Sequence, residues 1–329
     1  MTATPDKLLL SIVIINYRTP KLVTDCLESL LPELSPIDSR VVVVDNFSND
    51  NSPNIIKEWL SENDNNSNVL FIESEKNGGF AAGNNIGINA LAASYYLLLN
   101  SDTLVRKGAV QTMLDTIQVN PKAGLVSPRL EWPDKKGQES CFRFHHPVSE
   151  FLKTAQTGII DKIFKRYIVA LPIQTQSAYP EWTSFACVLI RNEVFQQIGL
   201  LDEGYFMYFE DAQLCHRAYK GGWQVVHNPE AAVVHLRGGS SPVKNNTLLK
   251  KRLPRYYYES RTRYYYQLYG WIGLTLANLL WSAGRVISKS RQLLGRRDKA
   301  ISDKQWRDIW SNWLNPMKKY THPGSNKGK

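Results

Sequence analysis

The sequence is poor in cysteine, lacks glycine where a dinucleotide fold needs it, and has no apolar run long enough to cross a membrane. Its four cysteines, Cys26, Cys141, Cys187 and Cys215, lie far apart and form no C-x-x-C pair. That excludes a zinc ribbon or a disulfide framework and suits a reducing compartment. Residues 270–284 (GWIGLTLANLLWSAG) carry no charge, but a spanning helix needs about 20 residues. The stretch after the first apolar run, NYRTPK, contains no glycine, so the G-x-G-x-x-G fingerprint of a nicotinamide dinucleotide fold is missing. The N-terminus, MTATPDKLLLSIVIINY, has no basic n-region and no small-residue cleavage site; it reads as a first buried strand rather than a signal peptide. No internal repeat or long low-complexity segment is present, and the final THPGSNKGK is expected to be disordered.

What is present describes a globular protein. The 329 residues are 43% hydrophobic and 21% charged, ordinary values for a packed chain with room for one large domain plus an appendage. The net charge of +10 is unevenly placed. Residues 244–329 hold 19 Lys or Arg against 4 Asp or Glu, whereas residues 1–243 hold 21 against 26. A mildly acidic body therefore carries a basic C-terminal third.

Residues 8–16 and 40–45 (RVVVVD) are continuous apolar runs, the pattern of strands covered on both faces. Residues 69–73 and 95–99 continue the series, with helices expected over 21–31, 53–62, 81–92 and 107–120. This alternation predicts an α/β fold with a mainly parallel sheet. A further strand is expected at 123–127, one helix near 149–166, a strand over 182–191, a helix over 210–220 closed by Gly221-Gly222, and two strands at 223–226 and 231–236.

In such sheets ligands bind beyond the carboxyl ends of the strands, and here those ends are polar: INYR, VDNFSND, SEKNGGFAAGNN and LNSD. The glycines of 78–83 could let backbone approach a phosphate or ribose; tight helix–strand packing explains them equally well. A second polar block is YFMYFEDAQLCHRAYKGGWQVVHNPEAAVVH. Glu210 and Asp211 open its helix, where the dipole favours anions, behind an aromatic wall at 205–209 suited to a cleft that stacks a sugar or excludes water. His235 follows near a strand end. A lone histidine is more often a hydrogen-bonded core residue than a ligand.

The motifs VIINYR, VVVVDNFSND, KNGGFAAGNN, LLLNSDT, the segment WTSFACVLIRNEVFQQIGLLDEGYFMYFEDAQLCHRAYKGGW, and HLRGGS occur in this order. In that order they resemble family 2 glycosyltransferases of the rhamnosyltransferase-like type over about residues 8–241, most of the chain. The resemblance implies a GT-A fold, with a Rossmann-like nucleotide-binding half (about 1–128) and an acceptor-binding half (about 129–243). Residues 244–329 would then be a basic helical extension. It implies inverting transfer from a dTDP- or UDP-sugar, with L-rhamnose the leading choice, to a saccharide or lipid-linked acceptor, using Mg²⁺ or Mn²⁺.

Carried over by residue, Tyr17 would stack on the base, Asp45 would accept from the base N3–H, and Ser101 would lie near the ribose. Asn77 and Gly79 would complete the nucleotide site, and Arg263 would approach the diphosphate. Asp102 and His235 would hold the metal, Asp211 would be the general base, and Trp182 and Glu210 would contact sugar or acceptor. Adjacent helix residues point about 100° apart, so only one of Glu210 and Asp211 can face the substrate; the family pattern selects Asp211. Asn100 stands where the family's Asp-x-Asp motif has its first acid, so the ion is expected to bind weakly until the donor arrives.

Two rivals are weaker. A sugar-1-phosphate nucleotidyltransferase would carry a glycine-rich basic loop after the first strand, where NYRTPK stands. A non-catalytic adaptor would leave Asp102, Asp211 and His235 unexplained. Cations interleaved with aromatics at 250–269 could suggest single-stranded nucleic acid, but at helical spacing Tyr257, Arg261, Tyr264 and Tyr265 could equally pack onto the domain, and no nucleic-acid partner is expected. Trp271 and Trp281 flanking the uncharged stretch, with RVISKSRQLLGRR after it, predict an interfacial helix on anionic lipid. This places the chain at the cytoplasmic face of the cell membrane.

Overall fold

The computed structural model describes residues 7–62, 68–237, 243–295 and 301–323. The Gly238-Gly239 pair of HLRGGS and the end of the tail expected to be disordered lie outside the described residues. In chain order the elements are β1 (Leu8–Asn16), α1 (Pro20–Leu34), β2 (Ser39–Asp45), α2 (Ser52–Glu62), β3 (Val69–Glu73), α3 (Gly79–Ala90), β4 (Ala93–Asn100) and β5 (Thr103–Val105). There follow α4 (Ala109–Val119), β6 (Ala123–Glu131), β7 (Cys141–Phe142), α5 (Pro147–Ala155), α6 (Gly158–Ile163), β8 (Trp182–Thr183), β9 (Cys187–Arg191) and α7 (Asn192–Ile198). The chain closes with α8 (Glu210–Lys220), β10 (Gln224–His235), α9 (Val243–Leu248), α10 (Arg255–Leu293) and α11 (Gln305–Asp308).

The described residues of Met1–Phe142, Leu171–Glu203 and Asp211–Ser240 form one compact unit, and those of Arg143–Ala170, Gly204–Glu210 and Ser241–Lys329 form a second. The first unit is built on an eight-stranded sheet in the order β3-β2-β1-β4-β9-β6-β10-β5. Strands β3, β2, β1 and β4 run parallel, as their unbroken apolar runs require. Strand β9 is wedged antiparallel between β4 and β6, and β5 pairs antiparallel with the end of β10.

Three segments differ from their sequence patterns. Strand β10 is one strand, not two, because it runs through Asn228-Pro229-Glu230 with a register shift between Asn228 and Ala232. Residues 182–191 split into β8 and β9, and the single helix expected near 149–166 breaks at Gln156, whose φ is 49°, into α5 and α6.

The glycines of α3 serve packing. A Cβ at Gly87 would stand 2.3 Å from Val13 Cγ1, and one at Gly83 3.1 Å from Ile15. Both let the helix sit on β1. Gly79 has φ 83°, a left-handed conformation open to glycine at little cost.

The second unit is helical. Helix α10 bends at Gly270 (φ 64°, ψ −167°). Its first half buries Tyr258, Tyr264 and Tyr265 almost completely. Arg261 is also buried, paired with Glu150 of α5 at 3.1 Å and bonded to Asn278 Oδ1 at 2.7 Å. Tyr256, Tyr258, Tyr264 and Tyr265 are therefore core, joined by Tyr205, Phe206 and Phe209 of the aromatic wall. Phe206 packs on Tyr256, and Phe209 on Tyr257 and Tyr264.

Candidate active site

Register brings the polar strand ends level. Asn16 pairs with Asp45, Ile15 with Asn100, and Asp45 with Glu73. The four carboxyl ends thus form one edge of the sheet.

Side chains fix the loops that leave this edge. Asp45 is 2% exposed. Its Oδ1 accepts from Asn16 Nδ2 and Ser48 Oγ, each at 2.6 Å, and its Oδ2 accepts from Ser48 N at 3.0 Å. Ser48 Oγ in turn accepts from Arg18 N at 2.9 Å, and the Arg18 guanidinium lies over the Tyr17 ring at 5.2 Å. On the next loop Asn46 Nδ2 donates to Asn77 Oδ1 and to the Gly79 carbonyl, while Asn77 Oδ1 accepts from Gly79 N at 3.0 Å. Ser101 Oγ lies 3.4 Å from Thr19 Oγ1. Asn100 is held through its backbone: its N–H donates to Ala186 O at 2.9 Å, and its carbonyl accepts from Thr103 Oγ1 at 2.7 Å.

Strand β5 explains how Asp102 meets His235. Thr103 pairs with His235 across the β5–β10 ladder, and Leu236 N donates to Asp102 O at 2.9 Å. The side chains follow, with His235 Nε2 3.4 Å from Asp102 Oδ1. Two donors about 2.1 Å from one small divalent ion stand about 3 Å apart at right angles, so the pair fits two ligands of one such ion. His235 Nδ1 is buried without a hydrogen-bond partner, unlike a satisfied core histidine. Among the described residues no group of three or more His, Cys, Asp or Glu could hold a metal, so the remaining ligands would come from nucleotide and water.

Asp211, in the first turn of α8, is linked to the same edge through backbone. Phe185 and Ala212 donate backbone N–H groups to its carboxylate, and Ala186, the next residue, accepts from Asn100 N. Burial outweighs these bonds and pushes the Asp211 carboxyl up to about 7, where a carboxylate can act as a base near neutral pH. Tyr208 and Phe209, just before this turn, have φ of 74° and 69°, a strained conformation for aromatic residues that costs about 1–3 kcal/mol each.

The remaining expected residues have contacts of their own. Trp182 stacks on Phe142 at 4.2 Å, which leaves at most one ring face for a sugar. Glu210 is 5% exposed. Arg263 lies over Tyr205 at 5.6 Å and donates to the Met317 carbonyl at 3.0 Å, within the helical unit.

Sequence reasoning missed Arg237. It follows β10, its Nη2 donates to Glu139 O at 3.3 Å, it also bonds Gln138, and it feels the charge of Asp102. Gln138 Nε2 donates to the His235 carbonyl at 2.7 Å, so one buried amide holds both residues. Ser48 was missed as well, although its place three residues after Asp45 in DNFS is a turn signal.

The Glycosyl transferase family 2 profile matches residues 11–212. A low-salt glycan biosynthesis hexosyltransferase, Agl10, of Haloferax volcanii is 28% identical over 214 residues, 64% of this chain and 61% of that protein. This chain thus spans about three fifths of that relative's length. N-acetylglucosaminyl-diphospho-decaprenol L-rhamnosyltransferase of Mycobacterium tuberculosis is 26% identical over 234 residues, 65% of this chain and 73% of that protein. The crystal structure of GalNAc-T7 with UDP, GalNAc and Mn²⁺ superposes with a TM-score of 0.58 at 15% identity, covering 94% of this chain and 59% of that one. The mixed, mainly parallel sheet flanked by helices is thus a GT-A fold, and the chain belongs to glycosyltransferase family 2.

Proposed function

We propose that the chain is an inverting glycosyltransferase that moves a sugar from a nucleotide-sugar donor to a hydroxyl of a saccharide or lipid-linked saccharide, in cell-surface polysaccharide synthesis. L-Rhamnose from a dTDP donor is the leading choice, supported by likeness to the mycobacterial rhamnosyltransferase. The observation that carries the reading is the Asp102–His235 pair at the sheet's polar edge, with a separate carboxyl, Asp211, pushed up to about 7.

In this reading residues 1–128 hold the nucleotide, residues 129–243 hold the acceptor, and residues 244–329 are an appended basic segment. Tyr17 stacks on the base. Asp45 has about four acceptor positions, three of them filled by Asn16 and Ser48, so Oδ2 can still accept from the base N3–H. Ser101 lies by the ribose, and the Asn77–Gly79 turn brings backbone to the donor. Asp102 and His235 would hold Mg²⁺ or Mn²⁺, which when bound neutralises charge on the leaving diphosphate. Arg237 adds a fixed cation beside them.

Asp211 takes the acceptor's proton as the acceptor oxygen bonds the anomeric carbon. The bond from that carbon to the diphosphate oxygen breaks at the same time, and the nucleoside diphosphate leaves with the electron pair. Trp182 contacts acceptor or sugar.

The test is nucleotide release from a panel of dTDP- and UDP-sugars with Mg²⁺ or Mn²⁺ and a saccharide acceptor. Release of dTDP from dTDP-rhamnose is expected. Pyrophosphate release from a nucleoside triphosphate and a sugar 1-phosphate would indicate the nucleotidyltransferase instead, and no release from any donor would refute the proposal.

A further inference from the structure

We infer that the helical unit carries a docking face for an anionic lipid surface, formed by the outer stripe of α10 and the segment 301–323. The inference goes beyond the transfer reaction and does not depend on it.

Beyond the bend at Gly270, α10 has two apolar faces. The inner one buries Leu274, Ala277 and Trp281, and at Gly284 an added Cβ would meet Thr154 Oγ1 of α5 at 2.2 Å. Trp281, expected at an interface, therefore faces the core. The outer face leaves Ile272 84%, Leu276 43%, Leu279 54%, Val286 65% and Leu293 89% exposed. At 100° per residue these five fall within about 100° of arc, along a stripe about 32 Å long. One apolar face is enough to seat a helix; a second, solvent-facing one marks an interaction surface.

The C-terminal segment widens the stripe. Trp271, 41% exposed, packs edge-on against Trp313 at 5.5 Å, and Trp313 Nε1 donates to Thr275 Oγ1 at 3.1 Å. Trp310, Leu314 and Met317 of the same segment are exposed as well. A shallow apolar groove of about 380 Å³, lined by Trp271, Ile272, Thr275, Leu276 and Leu279, runs along the helix.

Charge selects the occupant. Among the described residues 243–323, Glu259 and Asp308 are buried and paired with Arg255 and Arg252, which leaves Asp303 as the exposed carboxylate. Lys289, Lys304, Arg307, Lys318 and Lys319 are all exposed. The described part of this unit is thus cationic as a whole, so paired copies would repel one another, whereas an anionic bilayer complements the charge and takes tryptophan at its interface. No described helix is long and apolar enough to cross a membrane, so the helix would lie in the interface plane.

The test is co-sedimentation of the full chain with vesicles of phosphatidylcholine alone or mixed with phosphatidylglycerol. The chain should pellet with the anionic vesicles, and less so as salt rises. The double variant Ile272→Glu/Leu279→Glu should lose binding at least about tenfold, with an unchanged circular dichroism spectrum and unchanged transfer to a soluble acceptor. A second variant, Lys318→Glu/Lys319→Glu, should weaken binding to anionic vesicles without touching the apolar stripe. Three results would each overturn the inference. They are wild type left in the supernatant, a stripe variant that pellets like wild type, or a vesicle-free dimer that the stripe variant abolishes.

Discussion

Asp211 owes its chemistry to its surroundings. An exposed aspartate is ionised throughout the neutral range, whereas burial raises this one to about 7. Because a base acts in its deprotonated form, kcat/KM should rise about tenfold per pH unit below that value and level off above it; a flat profile from pH about 5 to 8 would remove Asp211 from the role. The sign for stability is opposite. A carboxyl whose folded pKa is raised opposes folding once pH exceeds its unfolded value, so Asp211→Asn should melt no lower than wild type at pH 8. Asp102→Ala and His235→Ala should each weaken Mn²⁺-dependent donor binding by at least the roughly tenfold that loss of a supporting residue costs, read in a metal titration, with metal-free nucleotide binding little changed.

Elements are placed by contacts of very different sequence range. Gly87 lets α3 press on β1, so Gly87→Ala should cost about 1–3 kcal/mol in urea unfolding, and Val13→Ala in the same chain should restore part of it. The parallel strands were legible because their apolar runs are unbroken and their ends polar. The strand expected over 182–191 contains β9, but its place was not legible, because nothing local in CVLIR says that it inserts antiparallel between β4 and β6. Asn228-Pro229-Glu230 resembled a turn, yet β10 passes through it with a bulge. The same non-local pairing assembles the site. The resemblance paired Asp102 with His235 as metal ligands, but the residues alone do not show their 3.4 Å approach, which depends on β5 crossing to the far edge of the sheet. Arg237 shares that dependence, and neither Tyr208 nor Phe209 is a residue type that announces a left-handed backbone.

Across the whole chain, the described residues of the basic C-terminal third belong to a helical unit that holds a buried ion pair, Arg261 with Glu150. Burial alone would raise the Glu150 carboxyl, but Arg261, Lys153 and His145 hold it down at about 2. A depressed carboxylate adds stability above its unfolded pKa, near 4.5, and that contribution fades as pH falls through the folded value. Acid unfolding followed by circular dichroism should therefore include a Glu150-dependent phase between pH 4.5 and about 2. Glu150→Gln leaves the Arg261 charge buried without its partner and should cost about 3–5 kcal/mol at pH 7, measured by chemical denaturation.

The most direct test of the catalytic account compares Asp211→Asn with wild type for transfer and for nucleotide binding in the same preparation. The account predicts transfer lowered by about 10²–10⁴-fold with nucleotide affinity nearly intact. Loss of nucleotide binding with residual transfer kept would contradict it.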